Sequence, residues 1–352
     1  MDYKKLLDEL VSVIIKENGS DLHLSADCCP AIRVHGSLFF LKKMPVLSGA
    51  DILNITTEIL TPKYKGIFLE RKEIDFSYEA GQARFRGNCF FSQGSVGISL
   101  RLIPKKIKTL AELSLPPILE DFAQKQQGFF LVVGPIGHGK STTLAALIEI
   151  INQNRAAHII TIEDPVEYVF ERKKSIVDQR EIKTDTKDFP TALRSSFRQD
   201  ADVLMIGEMR GIETIATSVT AAETGHLVLS TLHTNNAAQT IDRIIGVFPA
   251  LQQSQIRLQL AGSLLGVFSQ RLIPRISGGV IPAYELLINN TATANLIREA
   301  RTYEIPNVIE TGSKEGMVSL NKSLAELTRL GEITAENARK YSIRARELEK
   351  MF

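Results

Sequence analysis

Tryptophan is absent from the sequence, and aromatic residues are not interleaved with runs of Lys or Arg. The stacking platforms and basic tracks that hold single-stranded nucleic acid therefore have no source here. Charge of one sign is missing too: 42 Lys and Arg against 40 Asp and Glu leave a net charge of +2, too little to drive the chain onto nucleic acid or an anionic membrane. Cysteine is scarce. Cys28, Cys29 and Cys89 are odd in number and form no Cys-x-x-Cys pair, which argues against a disulfide framework or a thiolate zinc site and suits a reducing cytosol. No apolar run reaches the roughly 18 residues of a membrane span, so no transmembrane segment is expected. The opening MDYKKLLDEL has acidic residues and helical spacing in place of the run of a secretory signal. There is no internal repeat and no low-complexity tract. The expectation is a cytoplasmic chain of ordinary apolar content whose 352 residues favour two domains.

The first hundred residues read as α+β. Leu6, Leu7, Leu10, Val13, Ile14 and Ile15 share one face of a helix over 4–17, ended by Gly19. Short strands are predicted over 21–25, 31–35 and 38–41, with a turn at Gly36, then helix over 50–70, then an antiparallel meander over 74–78, 83–91 and 96–103. Pro104 opens a connection that Pro116 and Pro117 interrupt. From Gly128 the pattern changes to strand–helix alternation, with strands at 129–133, 158–163, 203–207, 226–231 and 264–270, the signature of a parallel sheet covered on both faces. Residues from about 291 read as helical, with Leu296, Ile297, Leu320, Leu324, Leu327 and Leu330 at packing positions.

The most informative stretch lies between the first of these strands and its helix. Gly134, Pro135, Ile136, Gly137, His138, Gly139, Lys140 and Ser141 match the phosphate-binding P-loop in full, and Thr142 continues into the helix. Three glycines let the backbone curl so that its N–H groups face one anion at the positive end of the helix dipole. Lys140 reaches the β- and γ-phosphates of a bound nucleotide, and the Ser141 hydroxyl ligates Mg²⁺.

Three later strands end in polar groups. Val203–Glu208 is an apolar strand closing on a carboxylate, which suits Glu208 to polarising an attacking water; a carboxylate there also serves to cap the next helix. Glu163 and Asp164 end another strand, and two adjacent carboxylates are costly unless a cation shares them, although Asp164-Pro165 also makes a turn. Thr231 and His233 close a third strand, where sensing of the γ-phosphate and a purely structural role are equally open.

The order of these pieces resembles the secretion ATPase superfamily, and most closely the PilT-like retraction ATPases of type IV pili. The matching segments are TIEDPVEY (161–168), LRSSFRQDADVLMIGEMRG (193–211) and AAETGHLVLSTLHTNNA (221–237), with SDLHLSADCCPAIRVHG (20–36) similar to the family's opening and NLIREA (295–300) to its retraction helix. The resemblance implies an α/β chain with a PAS-like N-terminal α+β domain over 1–103, a linker over 104–119, a RecA-like P-loop ATPase core over 120–290 and a helical C-terminal segment over 291–352. It implies a homohexamer that binds ATP with Mg²⁺ between domains and neighbouring subunits, docked at the inner-membrane base of a pilus on a platform protein, with a second retraction ATPase as a further partner. Glu208 takes the catalytic position. Glu163 and Asp164 fall in the Asp box, His226 and His233 in the His box, and Arg86 and Arg101 match first-domain arginines that reach nucleotide; as residues alone these arginines read equally as solvated strand charges. Ser141, Glu163 and Glu208 are the metal-side residues.

The sequence departs from the family at several points. Ile136 and His138 replace the Thr and Ser usual in this P-loop, Gly211 stands where Asp commonly follows GEMR, and Ala292–Ile297 diverges from the start of the retraction motif. Absence of a CxxC pair after His233 and of an extra N-terminal domain separates the chain from zinc-bearing assembly and type II secretion ATPases. The rival readings are an accessory ring subunit that works poorly alone and a hexameric nucleic-acid motor built on the same core.

Overall fold

Leu6, Leu7, Leu10, Val11 and Ile14 bury one face of the first helix, Tyr3–Lys16, whose start Asp2 caps by accepting the Lys5 N–H at 3.0 Å. The structure, a computed structural model, describes residues 2–352 other than His35, Gly36, Gln82, Pro104 and Lys105. The turn expected at Gly36 and the first residues of the expected connection lie outside the described residues. The chain forms two compact units, Met1–Lys106 with Pro165–Val169, and Ile107–Asp164 with Phe170–Phe352.

In the first unit β1 (Asp21–Leu24), β2 (Ala31–Val34), β3 (Ser37–Phe40), β4 (Glu73–Ala80), β5 (Ala83–Ser92) and β6 (Ser95–Ile103) form one antiparallel sheet in the order β3-β2-β1-β6-β5-β4. β5 and β6 close on Gln93 and Gly94, both at positive φ, the two-residue hairpin geometry that matches strand twist. Phe76, Phe85, Ile98 and Leu100 bury the inner face together with Cys89, whose thiol burial pushes far above the ordinary range. The stretch expected to be helical over 50–70 forms two helices, Gly49–Ile59 and Pro62–Arg71. Pro62 lacks the N–H a continuous helix needs, while Thr61 caps the second helix and Ser48 with Asp51 forms a capping box on the first.

The second unit is built on seven strands: β7 (Gly128–Val133), β8 (His158–Glu163), β9 (Ile176–Glu181), β10 (Val203–Ile206), β11 (Leu227–Leu232), β12 (Leu264–Pro274) and β13 (Val280–Ile288), in the order β13-β12-β7-β11-β10-β8-β9. The first six in chain order are parallel, and β13 turns back antiparallel on β12. Two strands thus add to the five expected. β9 is a polar edge strand without an apolar run, and Pro282 breaks the apparent pattern of β13, which tolerates it at an edge. β7, β10 and β11 are buried throughout, as strands covered on both faces must be.

Beyond β13, short helices continue to the C-terminus. Leu320, Leu324, Ala325, Ile333, Ala338 and Leu348 bury against Ile273, Ile281 and Ala283 in a separate small core. Leu330, expected to pack, is 66% exposed, because the helix Leu320–Arg329 has ended and Leu330 is only its C-cap. Among the described residues no helix is long and apolar enough to cross a membrane.

Candidate functional site

Parallel strands bring their carboxyl ends to one edge of a sheet, and that edge is where this sequence places its polar groups. Val133 is paired with Leu232 of β11, and Ile206 with Ile162 of β8 and Ser230 of β11, so the chain emerging after β7, β8, β10 and β11 does so side by side. β11 lies between the P-loop strand β7 and the acidic strand β10.

The P-loop itself is held by backbone geometry that only glycine allows. Gly134 has φ +143°, and a Cβ there would stand 2.3 Å from the Gln270 carbonyl oxygen of β12. Gly137 and Gly139 are also at positive φ, and the helix Lys140–Asn154 starts directly after Gly139. Pro135 supplies a carbonyl, Ile136 is 82% exposed at the loop tip, and Ser141 is exposed at the helix start with Thr142 half-buried beside it. His138 does more than fill the place of the usual serine. Its Nδ1 accepts the Leu272 N–H at 2.9 Å, and burial, with the charges of Arg271 and Lys140, holds the ring below the ordinary histidine range.

Lys140 is the buried cation of the site, 7% exposed. Its ammonium donates to the carbonyls of Gly134 at 2.9 Å and Pro135 at 2.8 Å and to His233 Nδ1 at 3.2 Å. The other nitrogen of that ring, Nε2, lies 3.7 Å from Glu208 Oε2. An ammonium can only donate, so Nδ1 is the acceptor and Nε2 carries the hydrogen facing Glu208. Burial, then the Lys140 charge, keep His233 below its ordinary range against the opposing pull of Glu208. Arg210 pairs with the other Glu208 oxygen at 2.5 Å.

Hydroxyls of β11 carry Glu208 to this place. The Ser230 hydroxyl donates to the Ile206 carbonyl at 2.8 Å and that of Thr231 to Gly207 at 2.6 Å, extending the β10–β11 contact past the last ladder residue. Thr231 therefore fixes the approach to Glu208. Gly211 follows at φ +96° and gives the helix Ile212–Glu223 no side-chain cap.

Glu163 is buried at the end of β8, accepting from the Thr161 hydroxyl at 2.6 Å and the Gln179 amide at 3.3 Å. Asp164 lies 3.6 Å from the Lys183 ammonium. His226 is not brought to this edge. It precedes β11 at the opposite end from His233, with Nδ1 on the Ala221 carbonyl at 3.1 Å and its ring edge-on to Phe197. Within the first unit, Arg86 and Arg101 are direct cross-strand partners on β5 and β6; Arg101 donates to Asp21 at 2.8 Å and Arg86 lies 3.4 Å from Glu167.

The family described as type II/IV secretion system protein matches residues 67–338. The type IV pilus retraction ATPase PilT of Pseudomonas aeruginosa is 44% identical over 95% of this chain and 97% of its own. The chain belongs to the type II/IV secretion system protein family. A twitching motility protein of Neisseria gonorrhoeae is likewise 44% identical, over 93% of this chain and 87% of its own. The crystal structure of the pilus retraction motor PilT with bound ADP superposes with a TM-score of 0.91 at 44% identity, covering 97% of this chain and 98% of that one.

In this family member, sequence motifs point to the loop and to the strand ends, but they pass over the residues that brace them. Gln270 is 2% exposed, donates to the His138 carbonyl at 2.7 Å and accepts from the Thr143 hydroxyl at 2.7 Å. It sits 132 residues from His138, outside every motif, and only its position in a predicted strand hinted at a role. In the helix Thr291–Arg298, Ile297, expected at a packing position, is fully buried in the main core of the second unit, and Leu296 packs against that core. The exposed positions of this helix are Thr291, Ala292, Asn295 and Arg298.

Proposed function

We propose that this member of the secretion ATPase family hydrolyses ATP with Mg²⁺ as a hexameric ring and powers retraction of type IV pili. The observation that carries the reading is the line Lys140–His233–Glu208 at the carboxyl edge of the parallel sheet, next to a glycine loop that a Cβ would block. We read the second unit as RecA-like on its parallel core and P-loop, and the first as PAS-like on its antiparallel sheet flanked by helices.

The loop amides and Lys140 bind the phosphates, and Glu208 orients the attacking water and accepts its proton as the γ-phosphoryl group transfers. Ser141, Glu163 and Glu208 would hold Mg²⁺, which when bound would supply charge neutralisation to the transferring phosphoryl group. His233 fits a γ-phosphate sensor, since a phosphate that draws the Lys140 ammonium away removes the partner of Nδ1. Arg86 and Arg101 are assigned to the site of a neighbouring subunit, where an arginine stabilises the charge of the transferring group. His226, at the far end of β11, is left without a role in phosphate chemistry. We assign the ring to the cytoplasmic face of the inner membrane, with the pilus platform protein as the partner that receives its motion.

Phosphate release by the purified chain tests this reading. Mg-ATP should be turned over, EDTA should stop it, and mass measurement with Mg-ATP should give six chains. A chain that neither binds nor hydrolyses ATP would contradict it.

A further inference from the structure

β12 is longer than the strand it follows. Its pairing with β7 ends at Ser269–Val133, where the chain leaves the sheet into the P-loop, whereas its pairing with β13 continues to Pro274. The edge of β12 from Gln270 onward is thus open on the P-loop side, and the loop lies along it. Leu272 N–H is taken by His138 Nδ1 at 2.9 Å, and the Gln270 carbonyl presses on Gly134 closely enough to exclude any Cβ. The Gln270 side chain reaches further: its amide nitrogen donates to the His138 carbonyl and its amide oxygen accepts from Thr143, both at 2.7 Å. Only one orientation of the amide serves, because the reversed one would set its oxygen against the His138 carbonyl.

We propose that Gln270 is a positioning residue for the nucleotide phosphates, acting through the peptide between His138 and Gly139. In a trans peptide the carbonyl and the following N–H point in opposite directions. Holding the His138 carbonyl toward β12 therefore turns the Gly139 N–H away from β12, to the side on which P-loop amides gather around an anion. Thr143, one turn into the helix, keeps the glutamine in place through its hydroxyl, so loop and helix are set by one side chain. A phosphate-bearing ligand meets a cradle already formed, and the ordering cost at binding falls.

This inference rests on the nucleotide reading of the site, and the experiment separates the two. Affinities for ADP and for inorganic triphosphate are measured by competition with a fluorescent ADP, with KM and kcat for ATP and melting temperature alongside. Gln270→Met, close in volume but unable to donate or accept in this way, should weaken both ligands by about tenfold or more, the scale of a buried hydrogen bond left unmade. KM should rise by a similar factor, since an interaction used for binding is lost. Thr143→Val should weaken both ligands by a smaller factor, and Thr143→Ser, which keeps the hydroxyl, should restore them. If Gln270→Met does not fold, the Thr143 pair decides: equal affinities in Val and Ser variants overturn the proposal. A folded Gln270→Met with a lower melting temperature but wild-type affinity for both ligands also overturns it, assigning the residue to stability alone. Wild-type protein that fails to bind ADP contradicts the site's nucleotide reading itself.

Discussion

His233 stands between Lys140 and Glu208, with Nδ1 3.2 Å from the ammonium and Nε2 3.7 Å from a carboxylate oxygen. The lysine that we assign to the phosphates and the carboxylate that we assign to water activation are thereby connected through one imidazole ring. Lys140→Ala should abolish hydrolysis and weaken ATP binding, because the charge on the phosphates is lost. Glu208→Gln should keep ATP binding and lose turnover by about 10²-fold or more, as expected for a group acting in the transition state. Steady-state phosphate release near wild type in Glu208→Gln would remove it from that role.

A second prediction concerns pH. His158, at the start of β8, has Nδ1 2.8 Å from the Gln199 carbonyl and Nε2 2.9 Å from Asp178. Both nitrogens face acceptors, which only the doubly protonated ring satisfies as a donor. Burial works against that charge, but the hydrogen bonds to Asp178 and Gln199 outweigh it and raise the pKa. A raised value in the folded state gives stability that is complete below the ordinary histidine value of 6.5 and is lost as pH rises through the folded value. Melting temperature should therefore contain a component that falls on going from mildly acidic to alkaline buffer, and Asp178→Asn should diminish it. A profile unchanged by Asp178→Asn would contradict the assignment.

The helix Thr291–Arg298 yields a third. Ile297 is fully buried, so Ile297→Ala should cost about 2–5 kcal/mol and lower melting temperature and ATPase activity together. Arg298 is exposed and, among the described residues, donates to Asn295 of its own helix. Arg298→Ala should leave melting temperature and hydrolysis near wild type while reducing retraction in cells. An Ile297→Ala protein as stable as wild type would contradict the packing, and normal retraction in Arg298→Ala would remove this face from the output.

Shared sites between subunits supply the fourth. If Arg86 or Arg101 completes a neighbour's site, specific activity should rise with protein concentration as rings form. Mixing Arg86→Ala subunits with Lys140→Ala subunits should restore part of the activity, because some sites then combine an intact P-loop with an intact arginine. Full specific activity in a strictly monomeric protein would refute sharing.

The P-loop was legible because its chemistry is local: three glycines, one lysine and one serine at fixed spacing between an apolar strand and a helix. The strand ends at Glu163, Glu208 and His233 were legible too, since apolar runs closing on polar residues reveal strand direction. That same direction shows why His226 does not join them: it precedes the strand that His233 follows, and a strand of six residues spans about 20 Å at 3.3 Å each. Gln270 and Thr143 escaped notice because their partners are fixed by the neighbouring of β12 and β7, which no local pattern records. β9 and β13 were missed for opposite reasons, one too polar for its strand to stand out and the other interrupted by Pro282. Ile297 reads as a packing position from its helical spacing, although an apolar helix face looks the same whether it meets a partner or the protein's own core.

Retraction of fluorescently labelled pili, in cells whose only copy of this chain is Glu208→Gln, shows whether hydrolysis by this chain drives shortening. The pili should extend and not shorten, while the wild-type chain expressed at the same level restores shortening. Pili that shorten at the wild-type rate in the Glu208→Gln cells would contradict hydrolysis by this chain as the drive.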